Sequence, residues 1–365
     1  MFPRSQRFHP SRPLHNAFMN NTFSTQNDPF ESPLLPPSAD PAEARKTFSR
    51  IGLAYAVLTL TLQGVAIAAQ YLLLVLAPRI LSAWWINWVF SLVPLYGVAL
   101  PVMWLILKRV PSAPHNSDYA VNRLSSIEKP SFHFGHWMIL LIIAFGCMTA
   151  GGLVGNITMS ILSAIMDYDY ANALSEMVDT SPVWMTFFAT CICAPLGEEL
   201  LFRKLLIDRT RRYGDLPSIL LSGILFGLFH GNFFQFFYAA LVGMLLAYIY
   251  TRTGQYWWCV AMHAVINFMG SVVMPALANL LPEDLVSFTG PLQPFVYLFI
   301  VMWQYGMLIA GIVLFCVLFS KRKLSKGAEP LYRENAARVM TVNVGMILCL
   351  AVMALLMAIN LWPVR

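Results

Sequence analysis

Apolar residues recur along the chain in nine runs, which short polar or charged segments separate. A helix needs about 20 such residues to cross the roughly 30 Å of hydrocarbon in a bilayer. Five runs are long and almost free of charge: 51–77, 80–107, 137–165, 291–320 and 339–363. Four are shorter or less pure: 183–206, 216–229, 233–251 and 256–281. The pattern predicts an all-α, polytopic membrane helix bundle with eight or nine transmembrane helices.

The first fifty residues lack this pattern. Residues 1–50 are rich in Pro, Ser, Asn and Arg and show no apolar period, which predicts a disordered cytoplasmic tail. The apolar runs then divide into N-terminal transmembrane helices at 51–165, a central group at 183–281 and C-terminal transmembrane helices at 291–365.

Composition supports the membrane assignment, and the charges set an orientation. Of the 365 residues, 58% are hydrophobic and 12% charged, about half the charged fraction of a soluble domain. If the amino terminus is cytoplasmic and every run crosses, all of the 24 Lys and Arg except Arg79 and Arg365 lie on the cytoplasmic side, as the positive-inside rule requires. The net charge of +6 is then a topology signal, and we expect no nucleic-acid partner.

Few ionisable residues lie well inside the apolar runs, where each is costly and is a functional candidate by default. They are Glu198, Glu199, Arg203, His230 and His263. All of them fall in the central group, and the longest helices contribute none. Such clustering favours a site over scattered structural roles.

The spacing on the first of these helices separates the two glutamates. Glu199 and Arg203 are four residues apart, so they share a helix face and can pair. Glu198 lies about 100° around the helix axis from Glu199, so its side chain can face a different part of the bundle. His230 ends a helix of about 20 Å, which is too short to cross and should finish near the middle of the membrane.

The last helix of the group carries two polar side chains at similar depth. His263 lies about 10 Å into its helix, and Asn267 follows one turn later on the same face. If the basic helix ends share one surface, all four polar side chains lie at overlapping depths in the membrane: Glu198, His230, His263 and Asn267. We expect them to converge on one water-filled cavity that opens to the cytoplasm.

One carboxylate and two imidazoles in a polar cavity suit the activation of water. A glutamate withdrawn from bulk solvent can accept a proton from water, a histidine can share or return it, and the amide of Asn267 can stabilise an oxyanion. Glu198, His230 and His263 could equally hold a divalent metal such as zinc, because two His and one carboxylate are a known hydrolytic ligand set. The residues leave both chemistries open.

Three short motifs stand in order within the central group: E-E-x-x-x-R, F-x-x-x-H and H-x-x-x-N. In this chain they are Glu198-Glu199-x-x-x-Arg203, Phe226-x-x-x-His230 and His263-x-x-x-Asn267. The set resembles the motifs of the CAAX prenyl endopeptidase and bacteriocin-processing family (CPBP, or Abi). The resemblance implies that 183–281 is an intramembrane protease core whose site opens to the cytoplasm.

The resemblance also implies roles for the motif residues. Glu198 with His230 would activate the attacking water, and His263 with Asn267 would stabilise the tetrahedral oxyanion. The remaining motif residues would support the site, Glu199 with Arg203 as a pair and Phe226 through packing. Members of the family are described as glutamate-dependent or as metal-dependent, so the metal stays open.

The expected function is hydrolysis of a peptide bond in a membrane protein or lipidated peptide, either a CAAX-type prenylated tail or a bacterial membrane peptide. Two other classes remain: a proton-coupled transporter, since Glu and His also serve as relays, and a catalytically idle membrane immunity or partner protein. The lipid bilayer is the expected surrounding. The protein would lie in the plasma membrane of a bacterium or in the endoplasmic reticulum of a eukaryote.

Overall fold

The computed structural model describes residues 38–113, 132–282, 284–285, 287–320, 324–331 and 333–362. All regular structure in these residues is helical, which confirms the predicted all-α class. The first helix begins at Pro41 behind an Asp40 cap, so the end of the predicted tail is helical. Residues 1–37 of that tail lie outside the described residues.

Eleven helices are named here in chain order. Their bounds are Pro41–Leu76 (α1), Ile86–Leu107 (α2), Phe134–Met166 (α3), Ala173–Asp179 (α4), Val183–Tyr213 (α5), Asp215–Phe229 (α6), Phe233–Thr253 (α7), Tyr256–Ala278 (α8), Gln293–Phe319 (α9), Arg333–Thr341 (α10) and Val344–Asn360 (α11). A 3₁₀ turn, Pro78–Ser82, precedes α2.

Seven of these helices are long and apolar enough to cross a membrane: α1, α2, α3, α5, α7, α8 and α9. The pair α10 and α11 makes an eighth span if it is counted as one, although it bends by 71°. The run 216–229 forms only the 15-residue helix α6, as its length predicts. The polytopic helical membrane bundle is thus confirmed, with seven or eight spans among the described residues.

The helix ends gather at two opposite ends of the bundle. At the basic end, defined as residues 38–50, 108–113, 208–215 and 324–331, the Ala113 N–H donates to the Asp208 carbonyl at 2.6 Å. At the far end, defined as residues 77–88, 167–182 and 360–362, the Tyr170 hydroxyl donates to the Leu361 carbonyl at 2.8 Å. Among the described residues, nine Lys and Arg belong to the segments of the basic end and only Arg79 to those of the far end. The positive-inside rule associates such an asymmetry with a cytoplasmic face.

Glycines allow the helices that carry the site to pack backbone against backbone. On α3, a Cβ at Gly151 would lie 2.3 Å from the Tyr238 Cα of α7. On α6, a Cβ at Gly227 would lie 2.7 Å from the Phe236 carbonyl oxygen of α7. These contacts hold α7 between α3 and α6, and they fix the turn that carries His230.

Two adjacent glycines of α3 provide a test of this packing. We expect Gly151→Ala to lower the free energy of unfolding by about 1–3 kcal/mol, because its methyl group would overlap the backbone of α7. Gly152 has open space at its Cβ position, so Gly152→Ala should leave stability unchanged or slightly higher. Thermal unfolding of the two variants in detergent makes the comparison. Equal stability of the two would contradict the described α3–α7 contact.

Candidate active site

The helix that carries both glutamates, α5, departs from regular α-helical geometry on either side of them. Two π-helical stretches, Phe187–Cys193 and Leu200–Leu205, flank the turn Ala194–Glu199. A π-helical turn leaves backbone carbonyls without their usual partners, and an apolar bundle offers no bulk water to replace them. Pro195 removes one further N–H donor from the same turn.

Side chains from four other helices bond to these carbonyls. The Tyr55 hydroxyl of α1 donates to the Leu201 carbonyl at 2.6 Å, and the Ser222 hydroxyl of α6 donates to the Phe202 carbonyl at 2.7 Å. Further donors are the hydroxyl of Tyr96 to Cys193, the hydroxyl of Tyr256 to Leu196 and the amide of Asn267 to Thr190. Together they position α5 by its backbone against α1, α2, α6 and α8.

Close approach on one side of α5 depends on a glycine. A Cβ at Gly197 would fall 2.3 Å from the Tyr96 hydroxyl oxygen. Only a residue without a side chain admits this tyrosine, whose hydroxyl bonds to the Cys193 carbonyl one turn before Gly197. Gly197 therefore belongs to the framework of the site, although no sequence motif above includes it.

The predicted pair of Glu199 and Arg203 is present and fully buried. Glu199 Oε2 lies 2.9 Å from Arg203 Nε, and neither side chain is exposed to solvent. The other carboxylate oxygen, Oε1, lies 2.8 Å from His263 Nδ1. Because an ionised carboxylate only accepts hydrogen bonds, Nδ1 carries the proton. Glu199 thus pairs with Arg203, as its spacing predicts, and also orients His263. The contact with His263 could not be inferred from sequence spacing.

Phe226 lies at the centre of this group. The Arg203 guanidinium carbon is 4.7 Å from the centre of the Phe226 ring, a cation–π contact. The rings of His230 and His263 stand nearly perpendicular to the same ring at centroid distances of 4.9 and 5.7 Å. The two terminal nitrogens of Arg203 are buried and have no hydrogen-bond partner among the described residues, so the ring face takes that place.

Glu198 lies beside His263 and faces a cavity. Its Oε2 is 3.7 Å from His263 Nε2, and its side chain is 16% exposed, whereas that of Glu199 is 0% exposed. The spacing argument that separated the two glutamates therefore agrees with their surroundings. Glu198 is the carboxylate that water can reach, and Glu199 is the one that protein surrounds.

His230 and Asn267 line the same cavity from two other elements. His230 ends α6, and its Nδ1 lies 2.8 Å from the Phe226 carbonyl oxygen. A carbonyl oxygen can only accept, so Nδ1 is the donor in this bond and Nε2 is the ring nitrogen that remains for the cavity. The turn that follows uses Gly231 in the left-handed region and Asn232 as the cap of α7. The Asn267 side-chain amide donates one of its two hydrogens to the Thr190 carbonyl at 2.7 Å.

The cavity has a volume of about 1290 Å³ and is lined by Glu198, His230, His263 and Asn267 together. The expected convergence of these four side chains is therefore present. The cavity does not extend in the expected direction, toward the basic end. It extends from Glu198 to α4 and Trp88 at the far end of the bundle. In the predicted orientation that end faces away from the cytoplasm.

The two histidines and Glu198 do not form a preassembled metal site. Among the described residues, no group of three His, Cys, Asp or Glu side chains is placed to hold a metal ion. The Nδ1 atoms of both histidines are already engaged, which leaves only Nε2 of each as a ligand. A divalent metal such as zinc stays a prediction from residue types, and the reaction below involves no step through it.

The site is thus an imidazole- and carboxylate-lined cavity inside a helical membrane bundle, and comparisons with known proteins agree with its motifs. Residues 180–269 match the family described as Type II CAAX prenyl endopeptidase Rce1-like. This range contains all three motifs, and it confirms the resemblance to the CPBP family.

A curated relative is named "Putative membrane peptidase YdiL" and comes from Bacillus subtilis (strain 168). It is 24% identical over 124 residues, which make up 34% of this chain and 50% of that protein. The chain therefore spans about half the length of the curated relative that it matches. No solved structure matches.

The buried ion pair gives a test of the network around His263. We expect Arg203→Met to cost about 3–5 kcal/mol of stability, because it leaves the Glu199 carboxylate buried without its cation. The double variant Glu199→Gln with Arg203→Met should cost less than Arg203→Met alone, since it buries no charge. Thermal unfolding of the purified variants measures both.

Lys204 supplies the matched control for this test, since it is the next residue on α5 and is exposed. Lys204→Met should change the free energy of unfolding by no more than about 0.5 kcal/mol. If the double variant were less stable than Arg203→Met, the pair would not be acting through charge compensation.

Proposed function

We propose that this protein is an intramembrane endopeptidase that hydrolyses a peptide bond of a membrane-associated substrate. The observation that carries the proposal is the contact between Glu198, which faces the cavity, and His263, whose other ring nitrogen bonds to the buried Glu199. A carboxylate next to an oriented imidazole is an arrangement suited to proton transfer. The family match and the named membrane peptidase support the same class.

In the proposed reaction, a water in the cavity hydrogen-bonds to Glu198. The carboxylate accepts a proton as the water oxygen attacks the scissile carbonyl carbon, which becomes tetrahedral. When the C–N bond breaks, the same proton passes from Glu198 to the departing nitrogen. The products are a carboxylic acid and an amine, and the net reaction consumes one water.

Negative charge develops on the substrate oxygen during the attack, and donors on α8 are suited to stabilise it. In the proposed reaction His263 donates to that oxygen from Nε2, while Glu199 accepts the bond from Nδ1 and holds the ring in place. Asn267 has one amide hydrogen left after its bond to the Thr190 carbonyl. In this proposal His230 accepts and returns protons at Nε2, the ring nitrogen that its bond to the Phe226 carbonyl leaves over.

This distribution of roles modifies the one that the motifs imply. There, Glu198 acts with His230, whereas the geometry pairs Glu198 with His263 at 3.7 Å. The proton-relay chemistry of a transporter would use the same side chains. Measuring cleavage of a peptide bond therefore distinguishes a protease from a transporter, whereas the loss of function of a Glu198 variant alone does not.

Replacement of Glu198, the proposed base, is the central experiment. Glu198→Gln should lower the rate of peptide cleavage by about 10²–10⁴-fold without changing the unfolding temperature, because it removes the base from an accessible position. Purified protein in proteoliposomes is incubated with a farnesylated CAAX peptide and with an unprenylated single-span peptide. Mass spectrometry of the products gives the rate and the cleaved bond.

Glu43→Gln is the control, since Glu43 is an exposed carboxylate at the start of α1. It should cleave at the wild-type rate. Wild-type rates from Glu198→Gln would overturn the assignment of the base. If folded wild-type protein cleaved neither peptide yet moved protons across the vesicle membrane, the transporter class would replace the protease.

Glu199→Gln should behave differently from Glu198→Gln. It keeps an acceptor for the His263 Nδ1–H but removes one charge of the buried pair with Arg203. We therefore expect a smaller loss of rate than from Glu198→Gln, together with a lower unfolding temperature, because Arg203 is left buried without its counter-charge. Cleavage rates and thermal unfolding of the two variants, measured on the same preparations, give the difference. A folded Glu199→Gln protein that lost as much rate as Glu198→Gln would contradict the separate roles of the two glutamates.

A further inference from the structure

We infer that the substrate reaches Glu198 from the far end of the bundle, past α4, as an internal segment of a membrane-anchored polypeptide. A tail that ends in a free carboxylate is the disfavoured substrate. The inference rests on the proposed function, because it names the substrate class and the approach to the same site. Four observations carry it.

Along α5 and α8, two of the helices that line it, the cavity extends from the site in one direction only. On α5 its other lining residues, such as Thr190, all precede Glu198, and on α8 those such as Ser271 and Pro275 all follow His263. Helix α5 runs from the far end to the basic end, and α8 runs in the opposite sense. Both sets of residues therefore lie toward the far end.

Packing closes the other direction. Next to the site on its basic side, Phe202 and Arg203 of α5 and Cys259 and Met262 of α8 are all 0% exposed. The Arg203 guanidinium lies on the Phe226 ring, and the Ser222 hydroxyl bonds to the backbone there. A peptide that came from the basic end would have to displace this core, whereas the far end offers a volume of about 1290 Å³.

Helix α4 lies at the far end of the cavity and lines it. It is half-buried through Leu174, Met177 and Val178, which share one helix face, and none of its residues is fully buried. Side-chain bonds tie the two flanks to other elements, at 2.8 Å from the Tyr170 hydroxyl to the Leu361 carbonyl and at 2.8 Å from Trp88 Nε1 to the Ser181 hydroxyl. The flank before α4 is also held by the Ser163 hydroxyl of α3, which donates to the Tyr168 carbonyl at 2.7 Å. A segment with so little buried surface can move at low cost to admit a chain.

The lining selects the chemistry of that chain. Glu176, Asp179 and Glu198 contribute carboxylates, and no Lys or Arg is among the lining residues in the described part of the chain. A free carboxylate on the approach would meet the carboxylates of α4 and, in the described lining, no Lys or Arg to pair with, so an internal segment that is neutral or positively charged fits better. Side-chain amides along the walls, such as Gln70 and Gln235, can pair with an extended backbone.

The first experiment measures access directly, without cleavage. In a variant with all six native cysteines replaced, Ser271→Cys places one thiol in the cavity, and Ser320→Cys places one at the exposed end of α9 that leads into the basic end. Sealed vesicles of both orientations are treated with impermeant methanethiosulfonate reagents, one cationic and one anionic. The cysteine-free protein is checked for its unfolding temperature and for cleavage.

We expect Ser271→Cys to react from the face opposite to the one that labels Ser320→Cys. Reaction with the cationic reagent should be roughly threefold or more faster than with the anionic one, because carboxylates line the approach. Labelling of both thiols from the same face would overturn the inference, as would faster reaction with the anion. Neither outcome bears on whether Glu198 is the catalytic base.

The second experiment measures substrate selection. Two single-span peptides with identical sequences, one ending in an amide and one in a free carboxylate near the scissile bond, are compared in proteoliposomes. We expect the amide to be cleaved several-fold faster, and equal rates or a preference for the acid would overturn the inference. If Glu198→Gln cleaved both peptides at the wild-type rate, the proposed function would fall while the labelled approach stood.

Discussion

A buried positive charge is the constraint on which the rest of the site depends. Arg203 has no exposure to solvent, and a guanidinium is always protonated, so the surrounding protein has to compensate it. Glu199 supplies the opposite charge and Phe226 supplies a ring face. Because Glu199 also bonds to His263, compensation of the charge fixes the imidazole. One electrostatic requirement thus ties α5, α6 and α8 together at the place where chemistry is proposed.

The backbone of α5 imposes a second requirement that acts in the same place. Its π-helical stretches and Pro195 free carbonyls that a bundle without water must satisfy by other means. Hydroxyls such as those of Tyr55 and Ser222 satisfy them from neighbouring helices. Each such bond fixes the height and rotation of α5 relative to its neighbours. The position of Glu198 is thereby set in part by α1 and α2, which carry no motif residue.

The apolar runs predicted the helices, and the few ionisable residues inside them predicted the site. Both signals lie within single helices. The short length of one apolar run predicted α6, and the spacing of four residues predicted the pair of Glu199 and Arg203. Contacts between helices are not encoded in spacing, so the bond from Glu199 to His263 appeared only in the structure. The helical start at Pro41 has a local signal, an Asp40 cap followed directly by proline, that the apolar pattern does not use. The break between α10 and α11 likewise coincides with a local cap, the Asn343 side chain at the start of α11.

The direction of the cavity follows from the same constraint that builds the site. Arg203 lies one turn beyond Glu199 toward the basic end, and its compensation requires a dry, tightly packed shell. A water-filled passage on that side would hydrate the charge and remove the need for the Phe226 face. Glu198, in contrast, needs water within reach in order to act as a base. The two glutamates can meet these opposite demands only if the shell lies on the basic side of the site and the cavity on the far side.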